Sequence, residues 1–390
     1  RNIMEISDST QLSNLDWIDN ADVIIDAILG TGVKNKIREP ESTAIDLINN
    51  SNAKVISVDV PSGLDPDGGA FEKSVISDVT LTFHRMKPGL QSKEINRYTK
   101  GIKVVDIGVC SDAENVVGTG NLNALKKRAE NSHKGNSGKI LVIGGGAYSG
   151  APGLTGLAAL RTGADLVTIA TPTKVADIIA SFSPNLIVHS LSSSILCPED
   201  IPQIKDLIQS HDVVIMGMGI GRDAKSKTTI LNLIPYCNKV VVDADGLYGV
   251  DFESIHEYGC NMIITPHAGE FESIQNKSIP DDRSSRTSNV LNFSKNKHLI
   301  TILKGKEDII SDGERVLYNQ TGNPGMTVGG TGDVLAGIIG ALFAVNPAID
   351  SASCGAFING AAGDLAFEEK SYGLLATDII AKIPAVMKSK

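Results

Sequence analysis

Apolar runs of strand length recur between residues 140 and 303 of this 390-residue chain, each closed by glycine or an oxygen-bearing side chain and followed by a helical stretch. Runs at 140–143, 166–170, 213–217, 239–243, 262–265 and 299–303 read as strands. Continuous rather than alternating hydrophobicity fits strands covered on both faces. Parallel neighbours need long crossovers, and the intervening helices supply them. The expected fold is therefore α/β, a mostly parallel sheet with helices on both faces and right-handed connections.

A smaller block of the same kind comes first. Strands are expected at 23–29, 54–60, 78–83 and 102–109, with a helix at 41–50. A break near residue 120 divides the chain into domains 1–118 and 121–390, and a short basic helix at 122–128 opens the second. The opening residues, which start at Arg1 rather than Met, read as the middle of something longer, so a missing N-terminal part is expected.

A net charge of −9 without a basic stripe argues against nucleic-acid binding. The five cysteines lie far apart with no paired spacing, which fits reduced thiols in a cytoplasmic protein. No signal peptide and no membrane-length apolar run is evident.

The best clue to function is the segment Asn323-Pro-Gly-Met-Thr-Val-Gly-Gly-Thr-Gly-Asp333, which runs straight into apolar residues at helical spacing. Gly325, Gly329, Gly330 and Gly332 let the backbone turn several N–H groups toward one point, and a helix N-terminus behind them completes an anion hole. Asp333 stands at the junction, where it is either a structural N-cap or a group that handles a proton. The spacings of a dinucleotide fingerprint and of a P-loop are both absent.

Other strand ends carry Gly217-Met-Gly219, Asp243-Ala-Asp245, Thr265-Pro-His267 and Lys304-Gly305. A lone histidine is more often a turn residue, and a lone lysine is usually solvated. They gain interest because strand C-termini share one sheet edge, where ligands bind. In the first block Asp26 and Asp59 end two strands beside Gly/Ser loops. Each singly is as well explained by turn capping. Together with Ser62 they offer hard oxygen ligands suited to an alkali or alkaline-earth ion.

Six segments in order carry a resemblance. His133-Lys-Gly, Gly150-Ala-Pro, Asp243-Ala-Asp, Thr265-Pro-His-Ala-Gly-Glu, Lys304-Gly and Asn323-Pro-Gly-Met with Gly330-Thr-Gly-Asp333 together resemble the ADP-dependent NAD(P)H-hydrate dehydratase family, over essentially all of residues 121–390. Asp26-Ala-Ile-Leu-Gly-Thr-Gly, Val58-Asp-Val-Pro-Ser-Gly-Leu-Asp65 and Phe83-His-Arg-Met-Lys-Pro-Gly-Leu90 resemble the C-terminal half of the NAD(P)H-hydrate epimerase domain often fused in front of it.

The resemblance implies a ribokinase-like fold and a repair enzyme. The dehydratase would return the S hydrate of NADH or NADPH to the intact nucleotide while hydrolysing ADP, or ATP in its place, and the epimerase would interconvert R and S hydrates. Asp333 matches the catalytic aspartate, and Ala151, Gly219 and His267 match positions lining the hydrate site. Lys304, Gly305, Lys306, Glu307 and Asp308, with Gly329, Gly330, Thr331 and Gly332, match the nucleotide-phosphate segments. Magnesium would bridge the nucleotide phosphates, with no carboxylate nameable as its ligand. In the first block Asp59 matches a substrate contact. Gly30, Thr31, Gly32, Val33, Lys34, Asn35 and Lys36 match the phosphate-contacting loop, and Asp26 and Ser62 match potassium ligands. A homo-oligomer is expected on the same ground.

Two departures stand out. The family's threonine four residues after the lysine is replaced by Asp308, a carboxylate that repels phosphates unless a metal or Lys306 offsets it. The epimerase family's Asn/Gly-rich loop has no counterpart in this sequence, so the chain is expected to dehydrate but to epimerise weakly. Two other readings stay open, a small-molecule kinase on the same fold and a non-catalytic nucleotide-binding protein.

Overall fold

The apolar runs form two separate sheets. The computed structural model describes residues 3–388 apart from 15–17, 19, 31–35 and 69–72. It divides into two compact units, Arg1–Ala113 and Glu114–Lys390.

The first unit holds β1 (Val23–Asp26), β2 (Lys54–Val58), β3 (Val79–Phe83) and β4 (Ile102–Val105), with helix α1 (Glu41–Asn50), and a short α2 (Ser111–Glu114) runs across its C-terminal limit. All four strands are parallel, in the order β1-β2-β3-β4. Ile45 and Ile48 of α1 pack on Val55. Strands β1, β2 and β4 are shorter than the apolar runs suggest, because the chain turns at Asp26, Asp59 and Asp106, whose side-chain oxygens bond to loop and strand-end donors.

The second unit carries nine strands: β5 (Lys139–Ile143), β6 (Leu166–Thr171), β7 (Ile187–Ser190), β8 (Val213–Met216), β9 (Lys239–Val242), β10 (Asn261–Ile264), β11 (Ile300–Leu303), β12 (Asp308–Ser311) and β13 (Val316–Asn319). Their order is β13-β12-β11-β10-β9-β8-β5-β6-β7. Strands β5 to β11 are parallel, and β12 and β13 add antiparallel to one edge. The order reverses between β5 and β8, and in such sheets the crevice at that reversal binds ligands.

Helices α3 (Gly150–Thr162), α4 (Thr173–Ser181), α5 (Ile201–Gln209), α6 (Ala224–Leu233), α7 (Ala268–Gln275), α8 (Arg283–Lys297), α9 (Thr331–Val345), α10 (Ala348–Lys370) and α11 (Ala376–Lys388) cover the sheet. Along β5, Ile140 and Val142 join one core and Leu141 and Ile143 the other. Strand side chains alternate between faces, so two covered faces require the continuous apolar run that the sequence has.

Helix α9 is buried from Val334 to Phe343. Gly337 lets it approach α3, since a Cβ there would lie 2.2 Å from the Thr155 carbonyl oxygen. Gly337→Ala is expected to destabilise the second unit by about 1–3 kcal/mol, measured by denaturant unfolding, because backbone rather than a movable side chain is in the way.

Three elements differ from expectation. Residues 122–128 form no basic helix. A 3-10 turn, Thr119–Ala124, gives way to irregular chain, since the Lys126 N–H is drawn to Asn346 Oδ1 at 2.7 Å and Arg128 to the Gly163 carbonyl at 2.7 Å. Strand β7 was not anticipated, being a short edge strand with half-exposed residues. Nor was the β12–β13 hairpin, whose first strand begins at Asp308 inside a charged stretch.

Candidate active site

Three adjacent strand ends converge on one ion pair. Asp243, just past β9, accepts from Thr265 Oγ1 past β10 at 2.7 Å and from Lys304 Nζ past β11 at 2.9 Å. Asp243 is only 2% exposed. Burial works against the Lys304 charge, but the carboxylates of Asp243, Glu270 and Asp333 outweigh it and hold its pKa above the ordinary lysine value.

The glycine loop closes over this pair. A Cβ on Gly332 would lie 3.3 Å from Lys304 Nζ and 3.7 Å from Asp243 Oδ2. Gly330 is the N-cap of α9 and adopts φ +98°, a left-handed conformation that favours glycine. No side chain caps the helix start, so its first N–H groups remain as donors for an anion. Asp333, the third helical residue, is therefore not the N-cap that one reading allowed.

The environment of Asp333 favours the other reading. Burial first, then the nearby Asp243 charge, push its pKa up to about 7, with Lys304 opposing. A carboxyl group poised near neutrality suits a proton acceptor. Thr155 of α3 bonds the Asp333 carbonyl and that of Ala151, each at 3.1 Å, and so ties the two helix starts together. Gly219 lies alongside, since a Cβ there would sit 3.4 Å from that of Ala151. Ala151 follows β5 and Gly219 follows β8, the two strands that flank the reversal in strand order.

His267 pairs with Lys304 as an isolated parallel bridge. Its ring also caps α7, with Nδ1 accepting from the Glu270 N–H at 3.2 Å while Glu270 Oε2 accepts from the His267 N–H at 2.9 Å. Ala151, Gly219, His267, Lys304, Gly332 and Asp333 thus lie along one edge. The His133-Lys-Gly segment does not join them, because it precedes β5 at the opposite end of the sheet.

The charged segment after Lys304 is neutralised, though not by Lys306, which is exposed. Arg283 Nε and Nη2 donate to Glu307 at 2.6 and 3.2 Å, and the guanidinium lies 4.0 Å from the centre of the Tyr318 ring. Asp308 accepts from Asn319 Nδ2 at 3.0 Å and from the Gly305 N–H at 3.1 Å. Burial raises its pKa against those donors and Lys304. Asn323 is held by Asp364 of α10, its Nδ2 donating at 2.8 Å, and Thr331 Oγ1 closes the loop onto the Met326 carbonyl at 3.0 Å.

In the first unit Asp26 is fully buried. Its Oδ2 accepts from Ser57 Oγ and the Ser62 N–H, both at 2.8 Å, whereas Oδ1 finds no hydrogen-bond partner among the described residues. Ser62 Oγ accepts from the Leu29 N–H at 2.9 Å. Asp59 adopts φ +68° and accepts from the Phe83 N–H at 3.0 Å and from Lys87 Nζ. Burial raises its pKa, but the Lys87 and Phe83 hydrogen bonds outweigh that and hold it below the ordinary carboxylate value. Lys87 was not singled out from the sequence, although it lies within the Phe83 to Leu90 motif. Gly30 and Lys36 are exposed. Thr31, Gly32, Val33, Lys34 and Asn35 lie outside the described residues.

The family described as NAD(P)H-hydrate dehydratase matches residues 140–385, which is most of the second unit. This chain belongs to the NAD(P)H-hydrate repair enzymes. Residues 3–89 match the family described as YjeF-related protein N-terminus. The bifunctional NAD(P)H-hydrate repair enzyme Nnr of Archaeoglobus fulgidus is 44% identical over 95% of this chain and 76% of its own length. That of Escherichia coli is 32% identical over 96% of this chain and 73% of its own. The ADP/ATP-dependent NAD(P)H-hydrate dehydratase of Bacillus subtilis, crystallised with ATP and Mg2+, superposes with TM-score 0.61 over 69% of this chain and 95% of its own, at 24% identity. The expected ribokinase-like fold is borne out, since a protein of Enterococcus faecalis described as ribokinase-like superposes with TM-score 0.60 over 70% of this chain and 95% of its own.

Proposed function

We propose that the second unit dehydrates the S hydrate of NADH or NADPH, with ADP as phosphoryl donor and AMP and phosphate as products. The single observation that carries this reading is the Asp333 carboxyl group, with a pKa of about 7, at the mouth of an uncapped helix start beside Lys304. Hydroxide is a poor leaving group, so the C6 hydroxyl of the hydrate must first be made a better one. Ionised Asp333 accepts the hydroxyl proton as that oxygen attacks the β-phosphorus of ADP and the bond to AMP breaks. The N–H groups at the start of α9, together with Lys304, stabilise the phosphoryl oxygens. The C6–O bond then breaks, and the C5 proton passes to the departing phosphate or to water as the ring double bond re-forms.

Among the described residues no three His, Cys, Asp or Glu side chains converge as a metal cage. Magnesium would therefore be held mainly by nucleotide phosphates, where it neutralises their charge. Potassium fits the first unit better. The unpartnered, buried Asp26 Oδ1 and the Ser62 hydroxyl are the hard oxygens that would hold it, supplying positive charge near a substrate phosphate. Beside them, Asp59 and Lys87 can accept and donate a proton, which supports hydrate epimerisation in this unit. Among the described residues no helix is long and apolar enough to cross a membrane, and the five free thiols support the cytoplasmic location.

The deciding test supplies NADH hydrate with ADP, or with ATP, and follows the reduced-nicotinamide absorbance. An ADP-dependent rise is expected. A stable phosphorylated product without that rise would instead indicate a small-molecule kinase. Donor recognition has its own test at Arg283. Arg283→Met leaves Glu307 uncompensated beside the nucleotide phosphates and is expected to raise the KM for ADP roughly tenfold with little change in kcat. Adding Glu307→Gln should restore it, and a double variant as impaired as the single one would show that Arg283 acts otherwise.

A further inference from the structure

The strap formed by residues 125–138, which contains the His133-Lys-Gly segment, crosses the end of the second unit opposite to Asp333. It borders a cavity of about 1010 Å³ against the C-terminal ends of α3, α9 and α11. Helix α9 spans 15 residues, so the cavity lies about 22 Å from the catalytic loop. Lys126, Lys127, Arg128 and His133 line it, and no aspartate or glutamate does. In a chain with net charge −9, that is a local reversal of sign. Arg128 alone of the three lysine and arginine side chains has an ion-pair partner among the described residues, Asp165 at 3.0 Å. Leu342, Val345 and Met387 form an apolar floor, and Asn131, Asn136 and Ser137 add neutral polar groups.

Helix C-termini are negative and would ordinarily repel an anion. Here several carbonyls at the ends of α3 and α9 are already engaged. Lys239 Nζ donates to the Phe343 and Ala344 carbonyls at 2.8 and 3.2 Å. Asn346 Nδ2 donates to that of Leu342 at 2.7 Å, and Arg128 to that of Gly163 at 2.7 Å. That engagement explains Arg128 structurally, whereas the Lys126 and Lys127 side chains have no hydrogen-bond or ion-pair partner among the described residues. The volume suits a whole organic ligand rather than a bare phosphate ion. We propose that this cavity is a second ligand site, which binds an organic polyphosphate of nucleotide size with its phosphates on Lys126, Lys127 and His133 and its apolar part on Leu342 and Val345.

The test counts ATP bound per chain by equilibrium dialysis of the full chain at low salt. Lys126→Glu/Lys127→Glu is expected to bind one ATP fewer than the unaltered chain, with kcat at saturating ADP unchanged, because neither lysine belongs to the catalytic machinery. Val345→Trp fills the floor and should lose the same ATP, and matching melting curves check that each variant is folded. Inorganic tripolyphosphate should bind there at least tenfold more weakly than ATP, and equal binding would overturn the organic part of the proposal. Unchanged ATP stoichiometry in folded variants would overturn it altogether. The count is independent of hydrate turnover, so failure of the dehydratase reading leaves this test standing.

Discussion

Asp333→Asn is expected to lower kcat by about 10²–10⁴-fold, the usual contribution of a positioned general base, with the KM for ADP little changed. In the unaltered enzyme the rate should rise with pH and level off above about 7, as the carboxyl group ionises. The residual activity of the asparagine variant should lack that limb. Stability should move the opposite way. The folded-state pKa of about 7 exceeds the ordinary 3.8, so between those values the native state holds a proton that the unfolded chain has lost. This contribution is fully present below about pH 4 and is lost as pH rises through 7. Above pH 7 the ionised, partly desolvated group costs on the order of a few kcal/mol. Asp333→Asn should therefore melt above the unaltered protein at pH 8 and close to it at pH 4. A variant that keeps full turnover, or that melts lower at pH 8, would contradict the assignment.

Lys304→Met should be the more damaging change to the fold. Among the described residues it leaves Asp243, which is 2% exposed, with only the Thr265 hydroxyl as a side-chain donor. Breaking a buried pair from one side costs about 3–5 kcal/mol, which denaturant unfolding would read. Adding Asp243→Asn removes the stranded charge and should recover most of the stability but not nucleotide binding. The two single variants also separate in their pH profiles. Lys304 lowers the Asp333 pKa and Asp243 raises it. The acid limb should move to higher pH in Lys304→Met and to lower pH in Asp243→Asn. Limbs moving together would mean that the three groups are not coupled.

Much of this architecture is legible in the chain before any coordinates. The continuous apolar runs specify buried parallel strands because both faces must be covered, and the glycines from 325 to 332 followed by helical periodicity specify an anion-binding helix start. Asp333, Lys304 and His267 could be picked out because catalytic groups of an α/β sheet collect at strand C-termini. Where periodicity is weak, the reading fails. Strand β7 and the β12–β13 hairpin are short and partly polar, and the 122–128 segment has helical composition but is drawn out of a helix by Asn346 and Gly163.

What the sequence leaves undetermined is pairwise. Asp243 stands in a recognisable Asp-Ala-Asp motif, yet nothing local says that its partner is Lys304, 61 residues away. Glu307 stands in the segment matched to nucleotide phosphates, yet nothing local says that Arg283, 24 residues earlier, lies against it. Lys87 and Asp59, and the unpartnered oxygen of Asp26, become visible only when two strand ends lie side by side. Hydrophobic periodicity and glycine placement are local properties and can be read from neighbours in the chain. Ion pairing, desolvation and the resulting pKa of Asp333 depend on distances between segments that only folding brings together.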